Sequence, residues 1–331
     1  MKLVSVIIPC FNEEKRIKSL MESLRSQTYP LNLMEIIVAD GGSNDGTIAI
    51  IQEFFREHND LKITIISNPK RIIPSAINLG IQASHGEIIV RMDAHSYPHN
   101  DYIERCVEIL EDGLADNVGG IWEIQPGDDT WVASAIAKAA TLPIAVGDAL
   151  YRHANKPGFV ETVPFGAFKR EVLALVGFFN ETLLTNEDYE FNSRIILNGG
   201  KIWLDPRIRS TYFARSTFSE LAKQYWRYGY WKWKMLQSYP KTIRWRQALP
   251  PLFVASLIIS SILSFFLDWF WLVPAVEILF YLITIFLSGL IISLKARKPT
   301  YFFGIPFAIL TMHFSWGTGF LWSMIKGLFI K

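Results

Sequence analysis

Short apolar runs alternate with longer stretches of helical apolar period through the amino-terminal part of the chain. Val4 to Ile8 is a continuous apolar run, predicting a strand closed by Pro9. Asn12-Glu13-Glu14 then opens a helical pattern through Ile17, Leu20, Met21 and Leu24. Ile36 to Ala39 predicts a second strand, followed by a helix with Ile50, Ile51, Phe54 and Phe55 on one face. Ile63 to Ile66 reads as a third strand, Pro74 to Ala83 as a helix and Glu87 to Met92 as a fourth strand. Val118 to Glu123 reads as another strand, and Trp131 to Val146 as a helix. Strands alternating with helices predict an α/β fold with a mostly parallel central sheet covered on both faces.

The pattern changes after Pro206. Ten Lys or Arg side chains between Arg207 and Arg246 stand against a single acid, Glu220, and are interleaved with tyrosines, tryptophans and phenylalanines. A basic, aromatic helix over Ser216 to Ser238 reads as an interfacial segment, with rings at headgroup level and cations toward anionic lipid. Beyond Trp245 come Leu249 to Leu267, Trp269 to Leu294 and Tyr301 to Met324, in which Glu277 is the only acid. Each is long enough to cross a bilayer as a helix, at roughly 20 residues per crossing. Nucleic-acid binding uses the same basic and aromatic residue types, but the adjoining spans argue against it. The expected division is 1–215, a catalytic domain; 216–247, the interfacial segment; and 248–331, a membrane region of two or three spans.

Composition adds little to this pattern, but charge placement adds orientation. The 331 residues carry a formal charge of +2. Arg244 and Arg246 precede the first span, Lys295, Arg297 and Lys298 follow the second, and the loop at Asp268 holds no base. The positive-inside rule puts both clusters in the cytosol, which predicts a multi-pass protein of the cell membrane with its catalytic domain on the cytosolic side. The opening residues are too short in their apolar core, and interrupted by Pro9, to read as a signal peptide. Two cysteines, Cys10 and Cys106, fit a reducing compartment and argue against a disulfide framework.

The candidate chemistry sits where predicted strands end. Asp93 and His95 follow the apolar run Ile88-Ile89-Val90, and ligands of parallel sheets bind beyond the strands' carboxyl ends. In an extended segment alternate residues point the same way, so both could reach one ion. A carboxylate and an imidazole suit Mn²⁺ or Mg²⁺ carrying phosphate oxygens. Equally, Asp93 could simply cap the next segment. Asp40 ends the second strand beside Gly41 and Gly42, where a flat ring could approach the backbone and offer an N–H to the carboxylate. Spacing there excludes a dinucleotide fingerprint and a P-loop, and Asp45 fits the helix-cap role better than Asp40. Asn186 reads as an N-cap, with Glu187 and Asp188 in the first turn that follows, where the helix dipole favours acids. Gln224, Arg227 and Tyr228 share one helical face.

Together these pieces resemble the inverting glycosyltransferases of family 2, which have the nucleotide-sugar-binding fold called GT-A. The resemblance runs from Ser5 to about Gly229, with its motifs in the family's order. Asp40-Gly41-Gly42-Ser43 looks like the family's Asp-Asp-Gly-Ser loop, with Gly41 in place of a second acid. Ser75-Ala76-Ile77-Asn78 matches the helix before the metal strand, with Ile77 where Arg is common. Asp93-Ala94-His95 occupies the Asp-x-Asp position, His95 replacing the second acid. Glu187-Asp188 matches the acidic pair whose second member is the base, and Gln224 to Tyr228 looks like Gln-x-x-Arg-Trp. The Asp-Ala-His variant and the apolar tail look most like succinoglycan-type exopolysaccharide glucosyltransferases.

The resemblance implies transfer of a hexose from a nucleotide sugar, UDP-linked, to a hydroxyl of a polyprenyl-diphosphate-linked saccharide at the membrane lipid. It implies donor contacts from Pro9, Phe11, Glu13, Asp40, Arg71, Asn78 and Asp93, and a divalent metal, Mn or Mg, on Asp93 and His95. Asp188 is then the catalytic base, with Glu187, Gln224, Arg227 and Tyr228 facing the acceptor or the diphosphate. A polyprenyl-phosphate sugar synthase and an inactive sugar-nucleotide-binding scaffold subunit are the alternatives.

Overall fold

A computed structural model describes residues 1–329. Its strands are β1 (Val4–Cys10), β2 (Met34–Asp40), β3 (Lys62–Ser67), β4 (Ile88–Arg91), β5 (Ser96–Pro98), β6 (Asn117–Gln125), β7 (Gly158–Phe159), β8 (Ala167–Lys169) and β9 (Ile202–Phe213). Its helices begin with α1 (Ile17–Arg25), α2 (Thr47–Glu57), α3 (Ile73–Ala83), α4 (Tyr102–Glu111), α5 (Trp131–Ala139) and α6 (Pro143–Val146). They continue with α7 (Val172–Val176), α8 (Glu187–Leu197), α9 (Phe218–Ser238), α10 (Trp245–Leu263), α11 (Leu272–Ala296) and α12 (Tyr301–Phe329).

The chain forms two compact units. Met1–Glu123 with Leu150–Tyr212 make the first. Ile124–Ala149 join Phe213 and all that follows it in the second. The boundary expected after residue 215 lies close to the last crossing, but the inserted segment 124–149 was not foreseen.

In the first unit the sheet order is β3-β2-β1-β4-β8-β6-β9-β5, with β7 on β9. β1 to β4 pair in parallel; β8 runs antiparallel to β4 and β6, and β5 and β7 antiparallel to β9. The sheet is therefore mixed rather than mostly parallel, because β8 inserts beside β4 in the antiparallel sense and the strands beyond it continue from there. Both faces are covered. Val6, Ile8 and Val90 pack under α1 and α4, whereas Ile7 and Ile89 pack with α3 and α8. That two-sided burial is why β1 and β4 read as unbroken apolar runs. Gly120 lets β6 approach β9 closely, since an added Cβ would lie 1.8 Å from the Ile208 carbonyl oxygen.

Pro9 does not close β1; the strand runs through it to Cys10, pairing with Ala39 and Asp40. Ile7 accepts from the Met92 amide on the β4 side, so Pro9, two residues on, turns its missing N–H toward the place where β4 pairing has ended. The predicted helix 131–146 is likewise broken. Pro143 lacks an amide proton and restricts Leu142 to extended geometry, so α5 stops at Ala139 and α6 starts anew.

In the second unit α5 and α6 pack with α9, α11 and α12 around Ala135, Ile136, Leu221, Tyr225, Ile305 and Met312. Among the described residues two helices, α10 and α11, are long and apolar enough to cross a membrane. The third apolar stretch forms α12, one face of which is buried against α9 through facing glycines. An added Cβ at Gly229 would meet the Trp316 carbonyl oxygen at 2.1 Å, and one at Gly319 the Trp226 carbonyl oxygen at 2.2 Å. This is the small-residue packing that lets two helix backbones touch.

Candidate active site

Three strand ends build the site. The order of β1 to β4 reverses direction at β1, so the crevice beyond β1 and β4 is a topological switch point. At the end of β1, Asn12 takes a left-handed conformation and interlocks with the loop after β2. Its amide donates to Ser43 Oγ at 2.9 Å, and its Oδ1 accepts the Asn44 amide at 3.0 Å. Asp40 folds that loop onto itself, accepting from the Gly42 amide at 3.0 Å and from Ser43 Oγ at 2.6 Å. Asp45 accepts the Thr47 amide at 3.0 Å, which is the helix-start role expected of it. The Phe11 ring stands half-exposed above this loop, and the Arg71 guanidinium lies 5.9 Å from its centroid. At Gly41, where the family resemblance has a second acid, an added Cβ would lie 3.2 Å from the Phe11 ring, a tight contact that the ring would have to ease.

Asn78 is committed elsewhere. Its Nδ2 donates to the Phe179 carbonyl at 2.9 Å and to Glu181 Oε1 at 3.0 Å, and its Oδ1 accepts the Phe179 amide at 2.9 Å. It holds the 179–181 loop, which takes both Nδ2 protons and leaves one Oδ1 lone pair.

β4 ends at Arg91, and the chain turns at once. Ser96 returns its amide to the Asp93 carbonyl at 3.0 Å, so Asp93-Ala94-His95 is a tight turn rather than the extended segment expected. The two side chains take different partners. His95 Nδ1 lies 3.0 Å from Glu13 Oε1, tying the β4 turn to the end of β1. Asp93 Oδ1 lies 3.1 Å from Arg91 Nη2.

That same Nη2 sits 2.9 Å from Glu187 Oε1. Arg91 is therefore a buried guanidinium joining Asp93 to the acidic pair. Burial works against its charge, but Asp93, Glu187 and Asp188 outweigh it and hold its pKa above the ordinary arginine value. The Arg91 amide donates to the Gly166 carbonyl at 3.1 Å. Gly166 and the preceding Phe165 both have positive φ, 51° and 62°, and a bulky residue in that region is strained. A tight left-handed turn between Pro164 and β8 thus fixes where β4 ends.

α8 begins at Asn186, which lies at the N-cap position as expected but in left-handed geometry, without a side-chain bond to the first turn. The first turn holds three acids with separate fates. Glu187 pairs with Arg91, and Glu190 makes a two-pronged pair with Arg194. Asp188 makes no ion pair among the described residues; its Oδ1 accepts the Tyr189 amide at 2.7 Å. Burial pushes the Asp188 carboxyl above its usual range, with Arg91 opposing, and the same balance raises Glu187. A carboxylate whose proton affinity is raised and whose oxygens carry no cation is suited to accept a proton.

In the second unit, Thr217 caps α9 by accepting the Glu220 amide at 3.2 Å. Gln224 donates to the Tyr228 hydroxyl at 3.0 Å one turn away, and Arg227 is exposed on the same helix. Sequence reasoning missed Arg91, Phe165 and the buried pair Asn117 and Asn192. Arg91 left a signal: a cation inside a buried strand requires counter-charges, and the acids of the site are the ones available.

The family described as glycosyl transferase family 2 matches residues 5–176. The chain is 30% identical over 334 residues to the dolichyl N-acetyl-alpha-D-glucosaminyl phosphate 3-beta-D-2,3-diacetamido-2,3-dideoxy-beta-D-glucuronosyltransferase of Methanococcus voltae, covering 99% of this chain and 98% of that protein. It is 30% identical over 323 residues to the succinoglycan biosynthesis protein ExoA of Rhizobium meliloti, covering 95% and 93%. Among solved structures, the mannosyltransferase PcManGT from Pyrobaculum calidifontis, in complex with GDP-Man and Mn2+, shares the fold. Its TM-score is 0.63 over 97% of this chain and 87% of that one, at 18% identity.

Proposed function

Since the chain belongs to glycosyl transferase family 2, we propose that it is an inverting hexosyltransferase moving sugar from UDP to a hydroxyl of a polyprenyl-linked saccharide. The observation that carries this is the Arg91 bridge. One guanidinium joins Asp93, the donor-side acid, to Glu187, whose neighbour Asp188 keeps a carboxylate without a cation. A single displacement needs a base on one side of the reacting carbon and charge neutralisation on the other, and no protein nucleophile.

Phe11, Arg71 and the folded Asp40 loop supply a base-binding edge: a ring to stack on, a cation for phosphate and a carboxylate for a base N–H. Pro9 and Glu13 shape the same edge from β1. Asp188 takes the proton of the acceptor hydroxyl as its oxygen attacks the anomeric carbon, and the sugar–phosphate bond breaks on the opposite face. Glu187, held by Arg91, orients the acceptor. Gln224, Arg227 and Tyr228 of α9 serve the acceptor or its diphosphate.

A divalent cation, Mn or Mg, fits the donor set here but only loosely. Among the described residues no three metal-binding side chains converge, Asp93 already carries a cation on Oδ1, and His95 faces Glu13. Asp93, with His95 beside it, would hold an ion whose other ligands are water and phosphate oxygens, as suits Mg²⁺. Such an ion supplies positive charge to the departing diphosphate.

The acceptor reading draws on the dolichyl-linked substrate in the name of the Methanococcus relative and on the two candidate membrane helices. The basic clusters flanking α10 and α11 favour a hairpin with the catalytic unit on the cytosolic side. The test is UDP release from a panel of UDP-sugars with polyprenyl-linked saccharides or bare polyprenyl phosphate. Release only with the saccharides supports hydroxyl transfer. Release with the bare phosphate identifies a polyprenyl-phosphate sugar synthase, and none with any pair leaves the scaffold reading.

A further inference from the structure

Beside Asp188 lies a small cavity walled mostly by Val163 and phenylalanine rings, with Arg91, Asn117, Asp188 and Asn192 also lining it. Arg91 is 5% exposed and Asn117 2%. Two of their polar atoms, Arg91 Nη1 and Asn117 Oδ1, are buried without a hydrogen-bond partner. The orientation of Asn117 follows from its neighbours. Asn192 Nδ2 donates to Thr162 Oγ1 at 2.9 Å and reaches the Val163 carbonyl at 3.5 Å. A carbonyl only accepts, so Asn192 must turn its Oδ1 to Asn117, whose Nδ2 donates to it at 2.5 Å. The oxygen of Asn117 is the atom left over.

Arg91 and Asn117 therefore line one cavity, and each carries a buried polar atom that is costly to leave unpaired. The cavity has room for about one water molecule. Purely apolar cavities stay dry, but Arg91, Asn117 and Asp188 line this one, and the first two carry the unpartnered atoms. A water here accepts from one of the two Nη1 N–H groups and donates one proton to Asn117 Oδ1 and the other to Asp188. Three hydrogen bonds are the usual number for a buried water. We propose that this cavity holds one ordered water, through which Asn117 and Arg91 position Asp188. Asn117 is then a positioning residue for the reaction, and the proposal rests on the reading of Asp188 as the base.

Val163→Ile in the full-length protein, purified in detergent, tests it by adding one methylene to the cavity wall while keeping every polar group. If the cavity is wet, the methylene expels the water and strands both polar atoms. The melting temperature then falls by roughly 2–4 °C. Turnover falls by about tenfold or more, because Asp188 loses its alignment, while the donor KM stays within about twofold. Intact turnover overturns the proposal whatever the melting temperature does, because overpacking alone can lower it. The second arm is a wild-type crystal structure. A solvent peak within hydrogen-bond distance of both Arg91 Nη1 and Asn117 Oδ1 supports the proposal even if Val163→Ile fails to fold, and no peak there overturns it. Neither the melting nor the crystallographic arm needs transfer activity. A peak alongside a fully active Asp188→Asn variant would sink the base assignment and leave the water site standing.

Discussion

Asp188 and Glu187 are adjacent carboxylates given different work by one cation. Glu187 faces Arg91 at 2.9 Å, and Asp188 does not pair with it. Asp188→Asn should lower the transfer rate by about 10²–10⁴, the usual worth of a general base, with UDP-sugar affinity by calorimetry unchanged. Glu187→Gln should lose thermal stability as well as rate, because it leaves a buried guanidinium with one carboxylate fewer. A near-wild-type rate for Asp188→Asn with a dead Glu187→Gln would reverse the two roles. Far from these acids, at the start of β2, Glu35 is a buried carboxylate whose desolvation is outweighed by the His85 amide, the Ser5 hydroxyl and Lys62, which hold its pKa down at about 2. A depressed folded-state value stabilises the fold fully above the unfolded carboxylate's pKa and is lost as pH falls toward 2. Wild type should therefore melt above Glu35→Gln at neutral pH, and the gap should close on acidification between about pH 4.5 and 2; a pH-independent gap would refute the linkage. Of these residues, the place of Glu187 and Asp188 in a helix's first turn was legible because it is a local pattern. Glu35 was not, because the amide that holds it comes from 50 residues away; Arg91 showed as a cation in a buried strand, but its partner Glu187, 96 residues on, is identified only once the fold places it.

At the scale of elements, strands and helices were read well where pattern and packing agree, as in β2, β3 and α3. The reading failed where one residue's backbone chemistry overrode the pattern. Pro9 was taken as a stop because the edge at which β4 ends is invisible in sequence, and Pro143 was passed over although it breaks a helix by the same chemistry. The Asp93-Ala94-His95 turn depends on Ser96 returning its amide, which no periodicity announces. For α12, apolar composition could not separate a lipid-facing helix from one packed on protein. The glycines at its contact with α9 show the packed face only once the two helices are placed together. Gly319→Ala should separate α9 from α12, because its Cβ would lie 2.2 Å from the Trp226 carbonyl oxygen and the opposing atom is backbone, which cannot swing aside. The expected loss is about 1–3 kcal/mol, against the gain that Ala normally brings to a helix. Gly327→Ala is the control: its nearest neighbour is the flexible Gln237 amide at 3.3 Å, so helix propensity should win and stability hold or rise. Equal melting temperatures for the two variants in detergent would show that the close approach carries no weight.

For the whole molecule, the sequence suggests a soluble catalytic piece ending at 215, joined to a membrane anchor. The compact units are drawn differently. Residues 124–149 leave the first unit in mid-sequence and supply Ala135, Ile136, Ala137, Ala139 and Ala145 to the core of the second, against Leu221 and Tyr225 of α9 and Ile305, Ala308, Ile309 and Met312 of α12. Polar ties run the same way: Ser134 Oγ meets the Tyr301 hydroxyl at 2.9 Å, and Asp148 holds Arg244 at 2.9 Å and also Arg246. A fragment ending at 215 removes every one of those partners and exposes an alanine-rich apolar helix face that has nothing else to cover it. We therefore expect residues 1–215 to be recovered as aggregate or to bind detergent, whereas the full chain in detergent is monodisperse and binds UDP. Size-exclusion chromatography of both forms, with UDP calorimetry on whatever elutes as a monomer, makes the comparison. A second fragment, 1–215 with 126–147 replaced by a short Gly-Ser linker, removes the stranded segment itself. It should regain solubility if the exposed face is the cause. A soluble, UDP-binding 1–215 would instead mean that the α5–α6 segment is stable without the membrane-proximal helices, and that the anchor can be detached after all.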